Sequence, residues 1–210
     1  MTLRIVSLVA LTMLVGCSKS GPRLAEAAPV ASDWKRVATR ADAQRLHGWR
    51  TAFVTALGAA HAAGHGKQIS REGMLLAPDA ALENVGLTSG RYMCRVIKLG
   101  AKQSGSRDYA AYPPFECLVA EEGQIASFTK TTGSQRPVGL VFDGDTRRKI
   151  FLGTMMFADE QVPLDYGRDA DRDMAGAIER IGPKRWRLIL PYPRFESTLD
   201  IIELVPAAGA

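Results

Sequence analysis

Residues 174–190, MAGAIERIGPKRWRLIL, hold two strand candidates and the turn between them. The turn is Ile181-Gly182-Pro183-Lys184, in which glycine tolerates positive φ and proline fixes φ. Short apolar runs bounded by such residues are typical of strands joined by a tight hairpin. The stretch therefore predicts two neighbouring antiparallel strands.

The same pattern extends outward over the second half of the chain, starting at Gly90. Tyr92, Cys94 and Val96 share one face of a first strand, since alternate residues of a strand point the same way. A second hairpin signal is Phe142-Asp143-Gly144-Asp145. The other strand candidates are Phe115–Val119, Ile125–Thr131, Val138–Asp143, Arg148–Met156, Met174–Ile181, Arg185–Leu190 and Leu199–Val205.

About eight strands follow one another with no helical pattern between them, which predicts antiparallel pairing. Eight such strands usually close on themselves, because closure removes exposed edges. We therefore predict an α+β, mainly β fold: an eight-stranded antiparallel barrel, broadly lipocalin-like, with a two-sheet sandwich as the alternative. The strands are too short and too charged on one face for an outer-membrane barrel wall.

A helical region precedes the strands. Thr39 can cap a helix together with Asp42, and glycine at position 64 can end it. We predict one amphipathic helix over Ala41–Ala63, packed on the barrel, and a shorter helix over Lys67–Leu76. The apolar positions at helical spacing are Leu46, Trp49, Phe53, Leu57 and Ala60.

The first residues resemble a bacterial lipoprotein signal peptide. Arg4 supplies the positive start, and Ile5–Val15 is an apolar run too short to span a bilayer, which needs ~20 residues. Leu14-Val15-Gly16-Cys17 resembles the lipobox, which implies cleavage after residue 16 and lipid on Cys17. The alternatives are an ordinary signal peptide with a chance cysteine, or an uncut anchor helix.

The chain then divides into a tether and one domain. Residues 17–32 are rich in Ala, Pro, Gly and Ser, which is typical of a flexible tether. Residues 33–206 form the single globular domain, with a helical part at 33–80 and a β part at 90–206. Ser18 after the lipidated cysteine favours the outer membrane, so we expect a periplasm-facing protein of the cell envelope.

The formal charge of +5 falls to +4 once a leader carrying Arg4 is removed. Basic residues are scattered among acidic neighbours, as in Arg168-Asp169. The pattern argues against nucleic acid as a partner. The membrane is one expected partner, through Cys17, and an envelope protein or a small apolar ligand is another. We expect a monomer.

Two of the three cysteines remain once Cys17 carries lipid. Cys94 and Cys117 lie on the apolar faces of strands that we expect to be neighbours. Exported proteins fold under oxidising conditions, so we predict a disulfide between them. A redox pair or two buried thiols are the alternatives.

Metal and calcium patterns are incomplete. His61 and His65 are four residues apart, but the predicted helix ends between them. Asp169, Asp171 and Asp173 alternate as at the start of a calcium loop, yet the later Gly and Glu positions of that loop are not matched. We predict no metal and no cofactor.

The sequence contains no catalytic motif. Ser127 and Ser134 lack a neighbouring histidine and the Gly-x-Ser-x-Gly setting. No phosphate-binding loop or dinucleotide fingerprint is present. We assign no catalytic residue and favour a protein that is not an enzyme.

Two segments are dense in aromatic residues, proline and arginine, and these residue types at loop ends can line a barrel mouth and bind a partner. The alternative is that the aromatics only close the end of the barrel by packing. The predicted rim residues are Tyr109, Tyr112, Phe115, Arg136, Trp186, Tyr192, Arg194 and Phe195.

Four strings carry a family resemblance: YMCRVIKLGA at 92–101, YPPFEC at 112–117, FTKTTGSQRPVG at 128–139 and IERIGPKRWRLILPYPRF at 178–195. They resemble the proteobacterial family known as domain of unknown function 4893. The resemblance covers about Asp33 to Pro206 and implies a Gram-negative envelope protein. It implies no activity, substrate or catalytic residue.

Three hypotheses about function follow. The first is a binding or inhibitor-type barrel that is not an enzyme. The second is a hydrolase or other enzyme acting on cell-envelope material, which would need convergent polar groups in one pocket. The third is a structural component of the envelope.

Overall fold

The computed structural model describes residues 32–208. The predicted leader, Cys17 and the predicted tether up to residue 31 lie outside these residues. Within them, four α-helices and a 3₁₀ helix precede nine strands. No helix in this part of the chain is both long and apolar enough to cross a membrane. The helices are α1 (Trp34–Val37), α2 (Arg40–His47), α3 (Trp49–Ala62), α4 (Gly66–Glu72) and the 3₁₀ helix Gly73–Leu76.

The strands form one antiparallel sheet in which nearly every strand pairs with its neighbour in sequence. They are β1 (Gly90–Ala101), β2 (Tyr109–Ala111), β3 (Phe115–Glu122), β4 (Ile125–Lys130), β5 (Gln135–Asp143), β6 (Arg148–Phe157), β7 (Asp173–Gly182), β8 (Arg185–Pro191) and β9 (Ser197–Pro206). The last strand, β9, pairs with β1 from Tyr92 to Ala101. This pairing closes β1 and β3–β9 into an eight-stranded barrel, so the predicted barrel is confirmed over the sandwich.

Strand β2 is an addition that the sequence did not predict. It pairs with Ile97–Leu99 of β1, on the same edge of β1 on which β3 pairs with Gly90–Cys94. Pro113 and Pro114 separate the two strands, because proline has no N–H to donate to a ladder.

The helical region departs from the prediction at Gly48, where the predicted single helix is two helices, α2 and α3. Helix α2 packs on β7, whereas α3 packs on β1, β8 and β9. A Cβ at position 48 would lie 3.2 Å from Cε2 of Tyr192, so glycine lets this ring pack at the break. The predicted Thr39 cap is confirmed, since the Asp42 N–H donates to Thr39 Oγ1 at 3.1 Å.

The helices cover the outside of the barrel, and a separate apolar core fills part of its inside. Phe53 of α3 packs on outward-facing residues of the barrel such as Ile97 and Ile201. The inner core includes Phe128 and Phe151, whose rings meet edge to face at 5.8 Å. Inward and outward residues alternate along each strand, as expected for a small barrel.

The predicted disulfide is confirmed. Cys94 on β1 and Cys117 on β3 are bonded, with Cα atoms 6.0 Å apart. In the register of the two strands, Cys94 pairs with Phe115 and Tyr92 pairs with Cys117. The bond therefore links diagonal neighbours and ties the start of β1 to β3.

Candidate ligand-binding cavity

One end of the barrel is filled. Trp186 at the start of β8 is buried, and its Nε1–H donates to the carbonyl of Val85 at 2.5 Å. The ring of Tyr92 meets the Trp186 ring edge to face at 6.0 Å. The segment before β1, which contains Val85, thus closes this end over a packed interior.

The other end of the barrel is open and holds a cavity of about 430 Å³. This volume lies within the range of about 300–1,000 Å³ that is typical of small-molecule sites. The apolar part of its lining comes from Val96, Phe115, Pro137, Met155, Met174, Leu190 and Ile202. Charged and amide groups also line it: Lys98, Lys130, Gln135, Glu196 and Asp200.

Lys98 lies on the inner face of β1, directly opposite Asp200 on β9. Its Nζ is 2.7 Å from Glu196 Oε2 and 3.6 Å from Asp200 Oδ2, and it donates to Gln135 Oε1 at 2.9 Å. Burial by itself would lower the pKa of Lys98, but the two carboxylates outweigh burial and raise the pKa above its ordinary value. Lys98 is therefore a charged and fully partnered ammonium.

Asp200 is only 4% exposed. The Ser197 hydroxyl donates to its Oδ1, and Lys98 lies near its Oδ2. Burial raises the pKa of the Asp200 carboxyl above its ordinary value, against the opposing effects of Lys98 and Ser197. Lys98 thus favours the ionised form of this carboxyl group.

Lys130, at the end of β4, is 3% exposed. Its Nζ donates to the main-chain carbonyls of Thr132 at 2.7 Å and Gln135 at 2.9 Å, and lies 3.6 Å from the centroid of the Phe115 ring. Across residues 32–208, no carboxylate lies within ion-pairing distance of this ammonium. Burial, assisted by Arg136 and then by Lys98, lowers the pKa of Lys130 to about 8.

The absence of a side chain at Gly133 leaves room for the end of the Lys130 side chain. The residue has a φ of +87°, and an added Cβ would lie 2.7 Å from Lys130 Nζ and 2.8 Å from Cε1 of Phe115. Any side chain here would be strained and would displace the ammonium. The turn between β4 and β5 therefore fixes the position of Lys130 at the cavity.

Four of the predicted rim residues lie at this end of the barrel. Tyr112 and Phe115 line the cavity itself. Arg194 and Phe195 line a small adjoining cleft, which shares Asp200 with the cavity. Phe195 is 40% exposed, so this part of the rim is open to solvent.

The other four predicted rim residues lie elsewhere. Tyr109 faces α4, where its hydroxyl donates to Glu72 Oε1 at 2.9 Å. Arg136 points outward and donates to main-chain carbonyls of two loops, while Trp186 belongs to the closed end. Tyr192 packs against the break between α2 and α3. The structure thus places these four residues away from the cavity, because each packs against another element.

The histidines and the alternating aspartates have other contacts. The His65 ring stacks on Tyr109 at 5.5 Å, and Asp173 Oδ1 accepts the N–H of Gly167 at 2.9 Å. No group of three or more His, Cys, Asp or Glu residues within the described part of the chain is placed to hold a metal ion.

Sequence reasoning missed the charged residues of the cavity, although a signal for them was present. Lys98 follows Val96 by two residues, and Lys130 follows Phe128 by two. Each lysine is thus in phase with the inward apolar face of its strand. Asp200 precedes Ile202 in the same way, so all three charges point into the barrel.

Comparison with known protein families gives a match over most of this chain. A family model described as a domain of unknown function (DUF4893) matches residues 34–204, which contain the whole cavity. No curated protein and no solved structure matches.

Proposed function

Because the chain belongs to the family of the domain of unknown function DUF4893, a membership that assigns no activity, we propose a function from the cavity: the protein binds a small, largely apolar ligand in the open end of its barrel. The observation that carries this proposal is a cavity of about 430 Å³ with an apolar floor and a few fixed polar groups. That combination is typical of small-ligand sites.

The shape of the barrel supports binding at one end. The packed interior around Tyr92 and Trp186 blocks passage through the barrel. A ligand would enter beside Tyr112 and Phe195 and would bury its apolar surface against the floor of the cavity. Burial of apolar surface contributes about 25 cal/mol per Å².

An enzyme acting on cell-envelope material is the second reading, and the polar contacts favour binding over it. Ser134 lines the cavity, but the hydrogen bonds of Lys130 go to main-chain carbonyls. Among residues 32–208, no hydroxyl is hydrogen-bonded to this lysine, whereas a nucleophile needs an adjacent base. Turnover of a bound compound would favour the enzyme.

The proposed location is the periplasmic face of the outer membrane, with Cys17 as the lipid anchor. The support is the Leu14-Val15-Gly16-Cys17 motif and the Ala- and Pro-rich segment that follows it. With Cys17→Ala, we expect unprocessed precursor and no incorporation of palmitate. A variant that still matures and takes up palmitate would contradict the anchor.

Binding can be tested with N-phenyl-1-naphthylamine, a neutral apolar dye whose fluorescence rises on leaving water. Met174→Trp places an indole in the cavity, and Met93→Trp places the same group on the exposed outer face of β1. We expect the purified protein and the Met93→Trp control to bind the dye with equal affinity. The Met174→Trp variant should bind at least about tenfold more weakly.

Matched urea midpoints for the two variants would show that both are folded. Equal dye binding by both folded variants would place the dye outside the cavity and contradict the proposal.

A further inference from the structure

The charges that face the cavity are unequally paired. Two ammonium groups, Lys98 and Lys130, and two carboxylates, Glu196 and Asp200, contribute to its lining. Both carboxylates lie at Lys98, one at 2.7 Å and one at 3.6 Å. The charge of Lys98 is therefore more than balanced, since two carboxylates lie at this one ammonium, whereas Lys130 carries its charge without a carboxylate in the described part of the chain.

The contacts of Lys130 satisfy it only in part. An ammonium has three N–H donors, and carbonyl oxygens of Thr132 and Gln135 accept two of them. The ring face of Phe115 adds a cation–π contact at 3.6 Å from Nζ to the centroid. These partners carry no net charge, so the positive charge of Lys130 has no counter-charge beside it. Buried charges in proteins normally have a counter-charge.

The positive site and the apolar floor belong to one cavity. Lys130, Phe115 and Gly133 form the side of the lining next to the turn between β4 and β5. The methionines Met155 and Met174, from β6 and β7, contribute to the apolar floor together with β8 and β9. A molecule that fills the cavity would touch both parts at once.

We propose that the ligand is amphiphilic and anionic: its carboxylate forms an ion pair with the Lys130 ammonium, while its hydrocarbon body lies on the apolar floor. This inference rests on the proposed function, since it names the class of ligand for the same cavity. Charge-assisted hydrogen bonds are about twice as strong as neutral ones, so the pair would supply selectivity for the anion.

Glu196 does not reverse this selectivity. It is at the solvent side of the cavity with its side chain 42% exposed, and its carboxylate is held by Lys98. Asp200 is likewise held by Lys98 and by Ser197. Arg136 on β5 adds positive charge near Lys130 from outside the cavity.

The ion pair makes binding depend on pH. Burial lowers the pKa of Lys130 to about 8, assisted by the two charged groups that act on it, Arg136 from β5 and Lys98 from β1. Carboxylate affinity should therefore be constant from about pH 6 to just below pH 8 and should fall above pH 8, while protonation of the ligand's own carboxyl group weakens binding in the acid range. A bound carboxylate favours the charged amine, so binding near pKa 8 should be accompanied by proton uptake.

Three probes with the same alkyl chain test the inference on the purified protein: decanoate, decanol and decylammonium. Near neutral pH, we expect decanoate to bind roughly tenfold or more tightly than decanol, and decylammonium to bind most weakly. Calorimetry in buffers of different ionisation enthalpy measures the proton uptake directly.

A variant then assigns the effect to one residue. Lys130→Met keeps an unbranched side chain that is one atom shorter and removes the charge, so decanoate affinity should fall roughly 10- to 100-fold while decanol affinity changes less than about twofold. The matched control is Lys184→Met, since Lys184 is exposed in the turn between β7 and β8, at the closed end. It should leave the affinities for all three probes unchanged.

The outcomes separate the two proposals. Equal affinity for decanoate and decanol would overturn the inference while the proposed function stands. A preference for decylammonium would also overturn it. Absence of binding by all three probes would overturn both proposals. A folded Lys130→Met variant that loses decanol and decanoate equally would overturn the assignment to Lys130.

Discussion

Removal of the Lys98 charge tests how the cavity is held together. Lys98 Nζ is 3.6 Å from Asp200 Oδ2 and 2.7 Å from Glu196 Oε2. The substitution Lys98→Met leaves the Asp200 carboxylate inside the barrel with only the Ser197 hydroxyl to stabilise it. We expect this change to lower the free energy of unfolding substantially near neutral pH.

The burial of the two partners sets the magnitude. The Lys98 side chain is 10% exposed, and breaking a buried ion pair by removing one partner costs about 3–5 kcal/mol. Asp200 lines an open cavity and is not enclosed in the apolar core, which favours the lower end. Glu196 is 42% exposed, so its pair adds only about 0–1 kcal/mol. We therefore expect a loss of about 3–4 kcal/mol, a large share of the 5–15 kcal/mol typical of a domain.

The loss should depend on pH with a defined sign. Burial already raises the pKa of Asp200, and the charge of Lys98 opposes this rise. Removal of Lys98 should therefore raise the pKa of Asp200 further. The folded variant then keeps a proton that the unfolded chain releases above its ordinary pKa of about 3.9. Relative to wild type, the penalty should be full above the folded pKa of Asp200 and should shrink as pH falls through it.

Urea unfolding at several pH values measures this difference. The double variant Lys98→Met/Asp200→Asn keeps an acceptor for Ser197 without the buried charge, so it should recover the loss to within about 1 kcal/mol of wild type. The control is Lys149→Met, whose partner Asp143 is exposed and whose loss should be about 0–1 kcal/mol. A loss below about 1 kcal/mol for Lys98→Met, or no recovery in the double variant, would refute the reasoning.

Three further substitutions test the frame around the cavity by urea unfolding. Replacing Cys94 and Cys117 with serine should cost about 3 kcal/mol, because the bond closes a loop of 23 residues, and an unchanged midpoint would contradict this. Arg187→Met should lower the free energy of unfolding by about 3–5 kcal/mol. The Arg187 guanidinium is fully buried and donates to Glu179 and to four carbonyls of residues 74–78. A loss under about 1 kcal/mol would show that these bonds contribute little. Gly153→Ala should lower the free energy of unfolding by at least about 1–3 kcal/mol, because the new Cβ would lie 2.2 Å from the Val138 carbonyl oxygen. Wild-type stability in this variant would show that β5 and β6 can move apart without cost.

The barrel could be predicted because its local signals agree. The period of two and the turn residues, such as Gly182-Pro183, place each strand near its observed position. The disulfide followed from the same pattern, since Cys94 and Cys117 share the inward phase of adjacent strands. The break at Gly48 could not be predicted, because the spacing of apolar residues is helical on both sides of it.

The site could be predicted only in part. Residue type identified aromatic and arginine side chains at loop ends, but the depth of each along the barrel depends on the register of the strands. Trp186 and Leu190 lie on one strand, yet the first belongs to the closed end and the second to the cavity. The alternation of each strand placed Lys98 and Lys130 on its inward-facing side, but a charged residue in a strand normally indicates the solvent-facing side.

The most direct test of the ligand site is methyl NMR on purified protein with ¹³C-labelled methionine methyl groups, titrated with N-phenyl-1-naphthylamine. Met155 and Met174 line the cavity, whereas Met74 and Met93 are exposed on the outside of the protein. The ring current of a dye bound in the cavity should shift the methyl signals of Met155 and Met174 and leave the other two unchanged. Shifts at Met74 or Met93 alone, or no shift at any methionine, would contradict a ligand site in the open end of the barrel.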